Sequence, residues 1–187
     1  MKRAVFLDRD GTVIEHVHHL SRVDDVQLIT GAAAAIKALR AAGYLCVIVT
    51  NQSVVGRGLL DVPGLELIHQ RMLDLLSKMG AELDGIYYCT VAPQVSDQAV
   101  VEHVDRKPGP GMLRKAAADL GIEMAQSWMM GDSLSDLLAG QNAGCKESLL
   151  VLTGYGQKTR AQQGEKFRSF PSIEEAAAAI LNENKEY

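Results

Sequence analysis

The apolar residues of this chain fall into five short continuous runs, separated by stretches in which they recur every three or four positions. Residues 4–7, 45–49, 85–89, 127–130 and 149–153 are too short for helices and rich in β-branched, aromatic or sulfur-bearing side chains. They predict buried strands. Between them lie helical patterns: 32–42 with Gly43 as a stop, Leu65, Ile68, Met72, Leu75, Leu76 and Met79 at helical spacing, and 112–120 ended by Gly121. A closing helix is expected over 172–181, with Ser172 as its cap and Glu175 at the capping-box position. Strands that alternate with helices predict an α/β fold, a Rossmann-like doubly wound parallel sheet covered on both faces. The segments 15–19, 54–58 and 90–105 read as loops, the last a long polar one of the kind that often carries function.

Three of the runs stop at chemistry-bearing residues. The first meets Asp8 and Asp10 before Gly11-Thr12, the second Thr50-Asn51-Gln52-Ser53, the fourth Gly131-Asp132 with Asp136 one helical turn on. Parallel strand ends of one polarity face a common crevice, so these groups can converge. Carboxylates without histidine or thiolate partners suit a hard cation, most naturally magnesium. Asp8 and Asp132 are the expected direct ligands, with Asp136 acting through a water or as an exposed acid favoured at a helix N-terminus. Lys107 stands at a loop-to-helix junction.

At 187 residues one domain, 1–187, is expected. A net charge of −4 gives no reason to expect nucleic acid or an anionic membrane as partner, so a bound anion must be held by local basic groups. No apolar stretch reaches a membrane span, and the N-terminus enters a strand without a leader pattern, which predicts a cytoplasmic protein. A monomer is expected. Cys46, Cys89 and Cys145 are an odd, scattered set and read as free thiols rather than a disulfide framework. Trp128 and its neighbouring methionines read as core, and His16, His18 and His19 as solvated or rim residues.

Taken together, Asp8-Arg9-Asp10-Gly11-Thr12, Thr50-Asn51-Gln52-Ser53, Lys107-Pro108 and Gly131-Asp132-Ser133-Leu134-Ser135-Asp136 resemble the four motifs of the haloacid dehalogenase-like (HAD-like) phosphohydrolases. The resemblance implies that Asp8 attacks a phosphoryl group, that Asp10 protonates the leaving alcohol and then deprotonates a water, that Thr50 and the Asn51 backbone hold the phosphoryl oxygens with Ser53 also binding substrate, and that Lys107 and magnesium offset the charge as two anions meet. It also implies a magnesium ion on Asp8, the Asp10 backbone carbonyl and Asp132. The runs around Asp8, Thr50 and Gly85, with Arg106-Lys107-Pro108, are similar to the heptose 1,7-bisphosphate 7-phosphatases, which share much of their signature with histidinol-phosphate phosphatases. About 40 residues separate Asp10 from Thr50, room for a loop, a helix and a strand; this agrees with a capless member.

The implied substrate is a sugar bisphosphate of the route to nucleotide-activated heptose and lipopolysaccharide core. A guanidinium binds phosphate bidentately, which makes Arg106, then Arg57, the candidates for the distal phosphate. Histidinol phosphate or another small phosphomonoester is the nearest alternative, and a non-catalytic binding protein of the same fold the alternative of another class. Of the zinc loop usual in that family only Cys89 is retained, and with His103 and Asp105 it would make a set of three ligands. Structural zinc sites need four ligands dominated by thiolates, so no zinc is expected. The segment 155–168 has no role assigned by its sequence.

Overall fold

The computed structural model describes residues 1–183. Six parallel strands, β1 (Arg3–Leu7), β2 (Tyr44–Asn51), β3 (Gly85–Cys89), β4 (Trp128–Gly131), β5 (Glu147–Val151) and β6 (Ser169–Phe170), form one sheet in the order β3-β2-β1-β4-β5-β6. The chain winds outward from β1 through β2 to β3, then returns to lay β4 on the other flank of β1. That reversal makes a crevice at the carboxyl ends of β1, β2 and β4.

β1 is buried on both faces, as the centre of a doubly covered sheet must be. Val5 and Leu7 pack with Ile36 and Leu39 of α1 (Ala32–Ala41), Ile68, Met72 and Leu76 of α3 (Val62–Lys78), and Ile173 and Ile180 of α7 (Ile173–Glu183). Ala4 and Phe6 face the opposite layer, made by Met112, Leu113 and Ala116 of α4 (Gly111–Leu120) and Ala139 and Ala143 of α5 (Leu134–Ala143). Trp128, Met129 and Met130 are core. The link from β1 to β2 holds a loop, a short 3₁₀ turn and α1, with no inserted domain. Among the described residues no helix is long and apolar enough to cross a membrane.

The structure differs in detail from the sequence pattern, beginning with a sixth strand, β6, that lies outside the five apolar runs. β5 covers Glu147–Val151, two residues earlier than expected, because Ser148 is buried with its hydroxyl donating to the Leu137 carbonyl at 2.7 Å. The segment read as a loop at 54–58 begins with one helical turn, α2 (Ser53–Gly56). The unassigned polar segment holds α6 (Gly156–Gln163), which offers no apolar stripe and buries only Gly156 and Thr159.

Candidate active site

The ends of β1 and β4 bring Asp8, Asp132 and Asp136 together, with one carboxylate oxygen from each within 4.8 Å of the others and all three residues buried. Lys107 enters this cluster from the loop before α4. Its Nζ donates to Asp8 Oδ1 at 2.6 Å and to the Val49 carbonyl at 2.7 Å, and lies 2.7 Å from Asp136 Oδ1. Three donors thus meet three acceptors, and the ammonium is satisfied although only 3% of the residue is exposed. Asn51 fixes the lysine's backbone: its Nδ2 donates to the Lys107 carbonyl and its Oδ1 accepts from the Lys107 N–H, each at 3.0 Å.

Asp136 is not an exposed helix-terminal acid. It is 1% exposed, closes a capping box with Ser133 and pairs with Lys107 through its other oxygen, so one carboxylate both caps α5 and faces the cluster. Asp132 is held from the segment that sequence left unassigned. The Tyr155 N–H donates to its Oδ2 at 2.7 Å, and the Thr159 hydroxyl donates to its carbonyl at 2.8 Å. Gly11 and Gly154 give that carboxylate room, since a Cβ on either would stand 2.2 or 2.1 Å from Asp132 Oδ2. Gly11 also has φ +83°, which disfavours any side chain.

Above the cluster opens a cleft of about 180 Å³ lined by Asp8, Asp10, Thr50, Asn51, Arg106, Lys107 and Asp132, with His16 and Tyr155 on its rim. The ring centroids of those two rim residues lie 4.3 Å apart. Arg106 spends one guanidinium N–H on the Val91 carbonyl at 2.8 Å and is among the residues that line the cleft. Arg57 ends α2, is exposed and does not line the cleft, while Ser53 lines an adjoining hollow with Arg9 and His18. His18 and His19 are exposed.

The loop 90–105 is closed by hydrogen bonds. Glu102 accepts from the N–H groups of Gln94 and Val95 at 2.8 and 3.1 Å, and Gln98 reaches across to the Ser135 N–H at 3.4 Å. Cys89 is buried, and His103 Nδ1 is engaged by the Asp105 N–H at 3.1 Å. All three cysteines are free thiols.

The electrostatics call for a cation. Burial first, then Asp136, pushes Asp8 up to about 7 against the pull of Lys107, and burial, then Asp8 and Asp136, pushes Asp132 up to about 8. Burial alone would lower Lys107, but Asp136 and Asp8 outweigh it and hold the ammonium above its ordinary value. One lysine therefore leaves the trio under-compensated, and an all-oxygen donor set of this charge fits a hard divalent ion. Between about pH 4 and pH 8 these two carboxyls bind more protons in the folded, metal-free chain than in the unfolded one, so their contribution to stability falls as pH rises through that window; His69, which burial pushes down to about 4, acts in the opposite direction only below about pH 6.5. A divalent cation held by the ionised carboxylates would oppose this loss. Thermal unfolding with a chelator is therefore expected to give a lower midpoint at about pH 8 than at about pH 6, and added magnesium a larger upward shift at the higher pH. A chelator midpoint that rises instead would contradict the charge assignment.

Carboxylates at the ends of β1 and β4 around a lysine, below a hydroxyl-bearing β2 end, define the class: a HAD-like phosphohydrolase. The HAD-hydrolase-like family model matches residues 104–177. A Haemophilus ducreyi protein named D-glycero-β-D-manno-heptose-1,7-bisphosphate 7-phosphatase is 44% identical over 167 residues, 88% of this chain and 90% of the relative. The crystal structure of D,D-heptose 1,7-bisphosphate phosphatase from B. bronchiseptica, complexed with magnesium and phosphate, is similar at a TM-score of 0.85 and 36% identity, covering 98% of this chain and 99% of that one. The corresponding enzyme from Burkholderia thailandensis gives 0.72 and 32%, over 96% and 99%. The chain belongs to this family of heptose-bisphosphate phosphatases.

Proposed function

We propose that this chain, acting as a single-domain monomer in the cytoplasm, is a magnesium-dependent phosphatase that removes the 7-phosphate of D-glycero-D-manno-heptose 1,7-bisphosphate. The observation that carries the reading is the convergence of Asp8, Asp10, Thr50 and Lys107 on one cleft, from segments up to 99 residues apart. The close relatives carry that substrate in their names.

Asp8 is the nucleophile: a carboxylate oxygen attacks phosphorus, the bond from phosphorus to the sugar oxygen breaks, and Asp10 gives that oxygen a proton. A water then attacks the aspartyl phosphate, Asp10 takes its proton, and inorganic phosphate leaves as the Asp8 carboxylate reforms. Thr50 and the Asn51 backbone hold phosphoryl oxygens, and Lys107 offsets the charge that builds when two anions meet. Asp8, the Asp10 carbonyl and Asp132 would hold magnesium, with Asp136 beside them. Bound there, the ion supplies further charge neutralisation at the phosphoryl group. Arg106 at the cleft wall is the partner for the distal phosphate. Arg57, exposed outside the cleft, contributes long-range positive charge near Arg106 rather than contact.

A second reading keeps the chemistry and changes the substrate to histidinol phosphate or another small phosphomonoester. What favours it is the loop 90–105, which Glu102 and Arg106 tie in place of a thiolate-bound metal. Phosphate release with magnesium should favour the heptose bisphosphate over histidinol phosphate and fructose 1,6-bisphosphate by about two orders of magnitude or more in kcat/KM. Asp8→Asn serves as the blank. Comparable weak rates on all three would move the assignment to the second reading.

A further inference from the structure

Asp10 and Thr50 are joined by a side chain that the motif pattern passes over. Gln52 is 4% exposed, and its Nε2 donates to Asp10 Oδ2 at 2.9 Å and to Thr50 Oγ1 at 2.8 Å. Its Oε1 accepts from Arg9 Nη2 at 2.9 Å. Arg9 is fully buried and grips Asp10 from the same side, Nε to Oδ2 and Nη2 to Oδ1, each at 3.1 Å. A guanidinium can only donate, so the amide oxygen must face Arg9, and the amide nitrogen is thereby forced toward Asp10 and Thr50.

Two consequences follow from counting donors. Asp10 Oδ2 receives two hydrogen bonds and Oδ1 one, so Oδ1 keeps the lone pair that can carry a proton. Thr50 Oγ1 already accepts from Gln52, which leaves its own hydrogen to donate to a group bound in the cleft that Thr50 lines.

We propose that Gln52, backed by Arg9, is a positioning residue for the phosphatase reaction: it orients Asp10 so that Oδ1 handles the proton and aims the Thr50 hydroxyl at the phosphoryl group. The inference rests on the functional reading above, and its test separates the two. Acetyl phosphate is the probe, because acetate departs without needing a proton and the first step then makes little demand on Asp10. The second step still needs Asp10 as base.

In Gln52→Met, and in Gln52→Glu, which keeps an acceptor for Arg9 but puts an anionic oxygen against Asp10 in place of the donating amide, acid-quenched protein is expected to carry about one acyl phosphate per chain. Steady-state phosphate release should fall by about tenfold to a hundredfold. Loss of phosphoenzyme and turnover together in both variants would make Gln52 a mere support and overturn the proposal, as would turnover within about twofold of the unchanged chain. Asp10→Asn is the control. If Asp10→Asn turns over normally without accumulating phosphoenzyme, the phosphatase mechanism itself fails; if it accumulates phosphoenzyme while the Gln52 variants turn over normally, only the positioning role does.

Discussion

Asp8→Asn is expected to lower phosphate release by about four orders of magnitude or more while the fold persists. Asparagine keeps the size of the side chain and an oxygen able to accept from Lys107, which stands 2.6 Å from Asp8 Oδ1, but it has no anionic oxygen to form the bond to phosphorus. The substitution also removes one of three negative charges from a buried cluster in which Asp8 is already pushed up to about 7. The metal-free variant should therefore unfold at the same temperature as the unchanged chain or a higher one at about pH 8, and should gain less from magnesium. Activity lost with stability retained separates a chemical role from a structural one. Retention of more than about a hundredth of the activity would remove Asp8 from the nucleophile's place.

Lys107→Met is expected to damage both stability and rate. The ammonium is the cation paired with Asp8 and Asp136, and all three of its protons are used at 2.6–2.7 Å. Methionine approximates the length of the side chain but leaves two buried carboxylates without their partner, a change that typically costs about 3–5 kcal/mol. For a domain of this size that corresponds to a fall of about 10 °C in the unfolding midpoint in the presence of chelator. Magnesium, which supplies positive charge to the same carboxylates, should recover part of the loss. Phosphate release should still fall by about a thousandfold with magnesium saturating, because the charge offset at the phosphoryl group is gone. A chelator midpoint within about 2 °C of the unchanged chain, or activity within about tenfold, would show that Lys107 is not the central counter-charge.

The strands at the heart of the sheet were legible because a strand covered on both faces carries apolar residues at successive positions, as β1 does from Ala4 to Leu7 and β2 from Tyr44 to Val49. The misplacement of β5 has the complementary cause. Glu147 and Ser148 are polar in a buried strand, and Ser148 is tolerated only because Leu137 supplies an acceptor. α6 escaped notice since the helix is held by Thr159 bonding to the Asp132 carbonyl rather than by an apolar face. Asp136 could be read either as an exposed cap or as part of the cluster; burial by neighbours from elsewhere in the chain decides it.

Arg9 and Gln52 mark the limit of motif reading. A charged residue between two aspartates is ordinarily solvent-exposed, and nothing local says that this one is buried with its guanidinium turned back onto Asp10. One signal was available: a polar residue at the end of a buried strand needs a partner, and Gln52 lies two residues from Thr50.

Local periodicity and composition were enough for the central strands, the helices with an apolar stripe, the doubly wound class, and the identity of the strand ends that carry carboxylates and hydroxyls. How those groups pair is set by long-range packing. Lys107 meets Asp8 across 99 residues, and Gln52 meets Asp10 across 42. Those distances close because parallel register aligns β1 with β2 and β4, and crossover packing turns their ends into one buried, low-dielectric crevice.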